Sequence, residues 1–146
     1  MYPQAEASIH TPVELSFSRN LHFNGRKAPD REHRKMPKPE LEFFPVEDLP
    51  FQQVAGAPAG HVQKILTEDP EKMMVTRIMK VPPHSNNPEI FVHDFWEEVY
   101  ILEGRQWVGD KLYTKGMYAC RPPGMVHGPF RTEDEPCVTF EIRYKR

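Results

Sequence analysis

Sixteen prolines in 146 residues limit what this chain can fold into. Each removes a backbone donor and fixes φ, so long uninterrupted helices are disfavoured throughout. No window shows apolar residues sustained at i, i+3, i+4 and i+7. Short β-branched and aromatic runs bounded by Pro, Gly, Asn and Asp dominate instead, which predicts an all-β domain. From residue 41 these runs follow one another at regular spacing: LEFFPV, HVQKIL, a turn at TEDPEK, MMVTRIMKV, a breaker at PPHSNNP, then IFVHDF, EVYILEG, RQWVGD, KLYTKG, MYACRPPG, MVHGPF, a turn at TEDEP, and CVTFEIRYK. Roughly eight to ten short strands with turn chemistry between them form the pattern of a sandwich or jelly-roll barrel. In the last run Val138, Phe140, Ile142 and Tyr144 alternate with Thr139, Glu141 and Arg143, which assigns two faces without saying which one looks inward.

Residues 1–40 differ in kind. They are polar, proline-bearing and rich in basic residues, and they read as an irregular N-terminal arm preceding a barrel domain at 41–146. Two readings stand here: a poorly ordered tail, or an arm that wraps the barrel or a neighbouring subunit. The first ten residues lack the basic flank and apolar run of a signal peptide. No apolar stretch approaches the roughly 20 residues that span a bilayer. Lys and Arg total 19 and Asp and Glu 21, a net charge of −2 that gives no electrostatic reason to expect nucleic acid or an anionic membrane as partner. A cytoplasmic protein is the expectation. Cys120 and Cys137 make no CxxC pair, and both read as small buried apolar residues.

Two segments carry the chemistry. In HDFWEEVYILEG, residues 93–104, three residues separate His93 from Glu97. In GMYACRPPGMVH, residues 116–127, a Pro-Pro-Gly turn leads to His127. If 90–95 is a strand, alternation lets His93 and Glu97 point inward together, and the turn returns His127 on a neighbouring strand. Two imidazoles and one carboxylate at one point make the set that binds Fe(II) and its neighbours while leaving coordination positions open. The other five histidines, His10, His22, His33, His61 and His84, read as polar surface residues, with His84 alone close enough in sequence to offer a third imidazole.

These segments resemble the two motifs of the cupin superfamily, the first similar to G-x5-H-x-H-x3,4-E-x6-G and the second to G-x5-P-x-G-x2-H-x3-N. Residues 93–104 match the H-x3-E-x6-G part, and residues 116–127 match the second motif as far as its histidine. The resemblance implies a cupin jelly-roll β-barrel over about residues 41–146. It assigns Glu97, rather than Glu98, as the carboxylate, because Gly104 follows Glu97 at the motif's spacing. Ser85 stands at the opening glycine, Phe91 at the first motif histidine and Arg131 at the closing asparagine. Phe91 reduces a four-ligand set to three, His93, Glu97 and His127, which points to an open, catalytic centre.

The resemblance further implies one divalent metal ion, Fe(II) first and Zn, Ni, Mn or Co as alternatives. The His-Gly-Pro-Phe run after His127 is similar to a subgroup of small bacterial cupins, some of which cleave β-diketone or hydroxyaryl-ketone substrates with dioxygen. A dioxygenase is therefore the first expectation. Beside it stand a metal-dependent isomerase, decarboxylase or lyase working through an enolate, and a binding or sensor module without turnover. Phe91 and Phe95 flank the ligand and suit a small aromatic or hydrophobic substrate, and Arg77, Arg121 and Arg143 are candidates to pair a substrate carboxylate. A homodimer joined through sheet edges is the expected assembly.

Overall fold

A computed structural model of the chain describes residues 38–146. Residues 1–37, nearly all of the expected arm, lie outside the described residues, and with them His10, His22 and His33. The regular structure of the described part is almost entirely antiparallel strand: β1 (Gln52–Gln53), β2 (Val62–Asp69), β3 (Met74–Val81), β4 (Asn86–Asn87), β5 (Trp96–Glu103), β6 (Arg105–Val108), β7 (Lys111–Thr114), β8 (Tyr118–Arg121), β9 (Phe130–Arg131) and β10 (Cys137–Tyr144). Six strands form one sheet in the order β1-β2-β3-β10-β5-β8, and four form the other in the order β4-β9-β6-β7. This is the expected all-β jelly roll.

Local chemistry explains several boundaries. The hairpin from β2 to β3 turns through a 3-10 turn at Pro70–Lys72, with Pro70 preset for its first position and Asp69 accepting the Lys72 N–H at 3.3 Å. Strand β5 ends at Gly104, whose φ of +71° is a conformation that few residues other than glycine adopt. A Cβ there would also collide with the Pro136 carbonyl oxygen. The motif glycine is thus required twice, by its backbone angle and by the close approach of the chain entering β10.

Three expectations about elements are corrected. The run LEFFPV forms no strand. Pro45 precedes a 3-10 turn at Val46–Asp48, no segment among the described residues pairs with the run, and Phe43 stands exposed. The run IFVHDF is not a strand either. Phe91 makes an isolated bridge with His127, and the pairing stops there because the chain bends at His93–Phe95. In MVHGPF only Phe130 joins a sheet, where it forms β9 together with the following Arg131. The short strands β1 and β4 lie in segments read as connections.

The register of β10 against its neighbours sets the interior. One row across the sheet reads Val81 and Cys137, and the next Met79, Thr139 and Ile101. Val81, Ile101 and Cys137 are buried together, with Met79 and Tyr113 against them, and make a small apolar plug. The following rows change character: Arg77, Glu141 and Val99, then Arg143, Glu97 and Arg121. The face of β10 that looks inward is therefore the polar one, with Thr139 and Glu141 buried and Arg143 beside them. One cysteine, Cys120, and one histidine, His61, also depart from expectation. Cys120 is exposed on β8, whereas Cys137 is buried, and both are free thiols. His61 is buried, its Nδ1 within 2.9 Å of the Pro58 carbonyl and its Nε2 3.1 Å from Ser85 Oγ.

Candidate metal centre

The polar rows open into a cavity of about 310 Å³, within the size range of small-molecule sites. Glu97 reaches it from β5, one residue after the strand begins, and is 3% exposed. Its neighbour Glu98 faces the opposite side, where Tyr118 Oη donates to it at 2.9 Å and Tyr144 Oη at 2.8 Å. Strand alternation alone separates the two glutamates.

His93 reaches the same point from the bend before β5, not from a strand. The bend is held by the ring itself, with His93 Nδ1 2.8 Å from the Phe95 carbonyl oxygen and the His93 and Phe95 rings stacked at 4.1 Å. Arg143 lies over the other part of this stack, 5.5 Å from the Phe95 ring centre. His127 arrives through the Pro-Pro-Gly turn. Met125 N–H donates to the Pro122 carbonyl at 3.1 Å across a type II arrangement, with Pro123 and Gly124 at its centre and Gly124 at φ +80°. Gly124 N–H then donates to the His93 carbonyl at 2.9 Å, which ties the two motif segments directly together. Phe91, at the position of the missing motif histidine, is the bridge partner of His127.

The three side chains meet through their outer atoms. His93 Nε2 lies 3.7 Å and His127 Nε2 3.6 Å from Glu97 Oε2, and the potential ligand atoms all fall within 4.8 Å of one another. Bonds of about 2.1 Å to one ion, at angles near 110–120°, would hold such atoms roughly 3.4–3.6 Å apart. Both Nδ1 atoms face backbone carbonyls, His127 Nδ1 that of Met125 at 3.1 Å. A donating Nδ1–H leaves the lone pair on Nε2, turned toward Glu97. His93 Nε2 is buried with no hydrogen-bond partner among the described residues. Burial also pushes the His127 imidazolium down in pKa, so the neutral form is favoured. These features fit a divalent cation: two imidazoles whose Nδ1 atoms face backbone carbonyls, a carboxylate, and a buried His93 Nε2 that meets no hydrogen-bond partner among the described residues.

The cross-strand register places an arginine on each side of Glu97. Arg121 Nη1 donates to Oε2 at 2.7 Å, while Arg143 donates to Oε1 through Nε at 2.8 Å and Nη2 at 2.7 Å. Burial pushes the Glu97 carboxyl up, but the Arg143 charge and the Arg121 hydrogen bond together outweigh it and hold the group at about 2. Glu97 is a carboxylate at any ordinary pH. One row deeper, Arg77 is engaged by Glu141 through Nε at 2.8 Å and Nη2 at 2.6 Å, and by Gln63 Oε1 at 2.7 Å.

Of the residues singled out from the sequence, His93, Glu97 and His127 come together. Phe91, Phe95, Arg77, Arg121 and Arg143 line the same cavity, each arginine already holding a carboxylate of the protein. His84 stands apart, its side chain 74% exposed and 4.0 Å from Asp134. Glu141, Gln63, Gln106 and Asn87 are further polar residues turned inward. Strand alternation offered Glu141 as one of two possible faces, whereas no local signal marked the other three.

The sequence profile of the family described as "ChrR Cupin-like domain" matches residues 41–144. No curated protein matches the chain. Among solved structures, an RmlC-like cupin from Ralstonia eutropha JMP134 is similar with a TM-score of 0.62 at 18% identity, over 72% of this chain and 69% of that one. The polyketide cyclase RemF from Streptomyces resistomycificus gives 0.61 at 20% identity, over 72% and 80%. The complex of Rhodobacter sphaeroides SigE with the anti-sigma ChrR gives 0.53 at 18% identity, over 69% of this chain and 52% of that one. Identities this low speak for the fold alone.

Proposed function

The chain belongs to the ChrR cupin-like domain family, and from that membership and the geometry of the cluster we propose that it is a metal-dependent cupin enzyme, a dioxygenase acting on a small β-dicarbonyl or hydroxyaryl ketone. The observation that carries the metal reading is the buried Nε2 of His93, without a hydrogen-bond partner among the described residues and facing Glu97 and His127. One divalent ion held by His93, Glu97 and His127 supplies Lewis acidity and, as Fe(II), the one-electron chemistry that dioxygen requires; Zn, Ni, Mn and Co are the other candidates.

The protein's own part is positional. His93 and His127 present fixed lone pairs because their Nδ1 atoms are tied to backbone carbonyls. Arg121 and Arg143 keep Glu97 ionised and aimed inward. Phe91, Phe95 and Phe130 give the cavity an apolar wall that orients a flat substrate and excludes water. Three protein ligands leave coordination positions for a substrate that chelates through two oxygens.

Elemental analysis of protein purified without chelator, followed by oxygen uptake with β-dicarbonyl and hydroxyaryl-ketone compounds, tests the proposal. Stoichiometric iron with oxygen consumption supports it. Metal with anaerobic turnover would move the reaction to isomerisation, decarboxylation or elimination through an enolate. Full metal content in each of His93→Ala, Glu97→Ala and His127→Ala would overturn the site. A second reading, a small-molecule sensor without turnover, is favoured by one finding, the description of the matching family after ChrR, a protein itself described as an anti-sigma. Metal and ligand binding with no turnover would select it. The homodimer also stays a proposal, supported by the open edge at β8, where Tyr118 is exposed; sedimentation equilibrium tests it. No helix among the described residues is long and apolar enough to cross a membrane.

A further inference from the structure

The row Arg143–Glu97–Arg121 places two guanidinium groups on one carboxylate. Guanidinium groups stay protonated in proteins, so neither can relieve this imbalance by losing a proton. One row deeper Arg77 and Glu141 cancel. The cavity wall therefore carries three cations against two inward anions, and a divalent ion on the histidines would add to the same sign. The remaining acid on the lining, Glu89, is exposed, where water screens it.

The arginines also keep donors in hand. Arg121 contacts Glu97 through Nη1 alone, although its side chain is only 10% exposed. Its Nε and Nη2 meet no acceptor among the described residues, and the guanidinium lies 5.7 Å from the Phe130 ring centre on the cavity wall. Arg143 engages Nε and Nη2 and leaves Nη1. These spare N–H groups are not sealed off by the protein, so they stand open to donate to a ligand, and an excess of charge in a site largely removed from water is costly.

We infer that the cavity takes a small ligand bearing a carboxylate, anchored by Arg121 beside the metal position, with its apolar body against Phe91, Phe95 and Phe130. This rests on the metal-centre reading for where the ligand's other end lies, but the arginine imbalance belongs to the protein alone. A neutral ligand of the same shape leaves the imbalance in place, so charge, more than shape, decides what binds.

Phenylacetate and phenylacetamide, nearly equal in size and different in charge, are titrated calorimetrically into the full chain as purified and after chelator treatment. The acid is expected to bind at least about tenfold more tightly than the amide even in the metal-free protein, and to keep most of that advantage in about 0.5 M salt, because Arg121 is buried. Arg121→Gln, checked for fold by circular dichroism, is expected to weaken the acid about tenfold or more and leave the amide unchanged. Equal affinities for acid and amide in the metal-free protein overturn the inference, as does an acid that fails to saturate by about 10 mM. An unchanged acid affinity in a folded Arg121→Gln chain overturns Arg121 as the anchor. Metal content is measured separately, so loss of the metal reading leaves the acid preference standing and the two failures are told apart.

Discussion

Replacing Glu97 by Gln keeps the shape of the side chain and removes the charge that buried Arg121 and half-buried Arg143 share. In the folded chain the carboxyl is held at about 2 against an ordinary value of 4.5. Each pH unit of separation corresponds to about 1.4 kcal/mol, so the ionised form contributes roughly 3 kcal/mol to folding near neutral pH. Breaking a buried pair by removing one partner has a similar expected cost, about 3–5 kcal/mol. Because the folded-state value is the lower one, this contribution is complete above 4.5 and is lost as pH falls toward about 2. Urea unfolding of wild type and Glu97→Gln, both metal-free in chelator, measures it. At pH 7 the variant should unfold with a stability roughly 3 kcal/mol lower and a melting temperature lower by roughly 10 °C. The gap should narrow steadily below about pH 4 as the wild-type carboxylate is titrated. Glu98→Gln, on the opposite face of the same strand and bonded to Tyr118 and Tyr144 near the surface, is the control and should change stability much less. A Glu97→Gln protein within about 0.5 kcal/mol of wild type, the range of ordinary surface changes, would refute the account of the arginine clamp. So would a gap that does not depend on pH.

Phe95→Leu removes the ring stacked on His93 while keeping the backbone carbonyl that orients Nδ1; zinc affinity measured by competition with a chelating dye should fall about 2- to 10-fold, the equivalent of one aromatic contact. Gly104→Ala meets both the positive φ and the Pro136 carbonyl, and should destabilise by more than about 2 kcal/mol in the same urea assay. Cys137 is buried and its thiol is pushed up to about 12, first by burial, whereas Cys120 is exposed; a disulfide-exchange dye should therefore titrate one thiol in the native chain and both in urea.

The cluster of His93, Glu97 and His127 was legible in the sequence because its information is local. His93, Glu97 and Gly104 fall within one short segment, and Pro122, Gly124 and His127 within another. Each has a chemical requirement that few other residues meet: an imidazole, a carboxylate, or a backbone angle that glycine tolerates. Proline density and short β-branched runs likewise sufficed for the fold class, since they report on what a backbone can do residue by residue. Placing His93 on a strand was an error of the same local reasoning. Its run has the composition of a strand, but apart from the single bridge at Phe91 no neighbouring chain lies along it, and pairing is a property of two segments.

The tertiary structure decided everything that depends on register between distant strands. Arg143 meets Glu97 only because β10 lies antiparallel to β5 in one alignment, and a slip of one residue would turn every side chain of β10 to the other face. The same alignment turns Thr139, Glu141 and Arg143 inward rather than Val138, Phe140 and Ile142, because Arg77 partners Glu141 and Glu97 partners Arg143, which makes burial of charge tolerable. The sequence by itself determined a β-rich chain with three ligand-type side chains at characteristic spacing. What surrounds them, a carboxylate gripped by two arginines and a cavity with an excess of positive charge, is set by contacts between residues far apart in the chain, and those exist only once the barrel has closed.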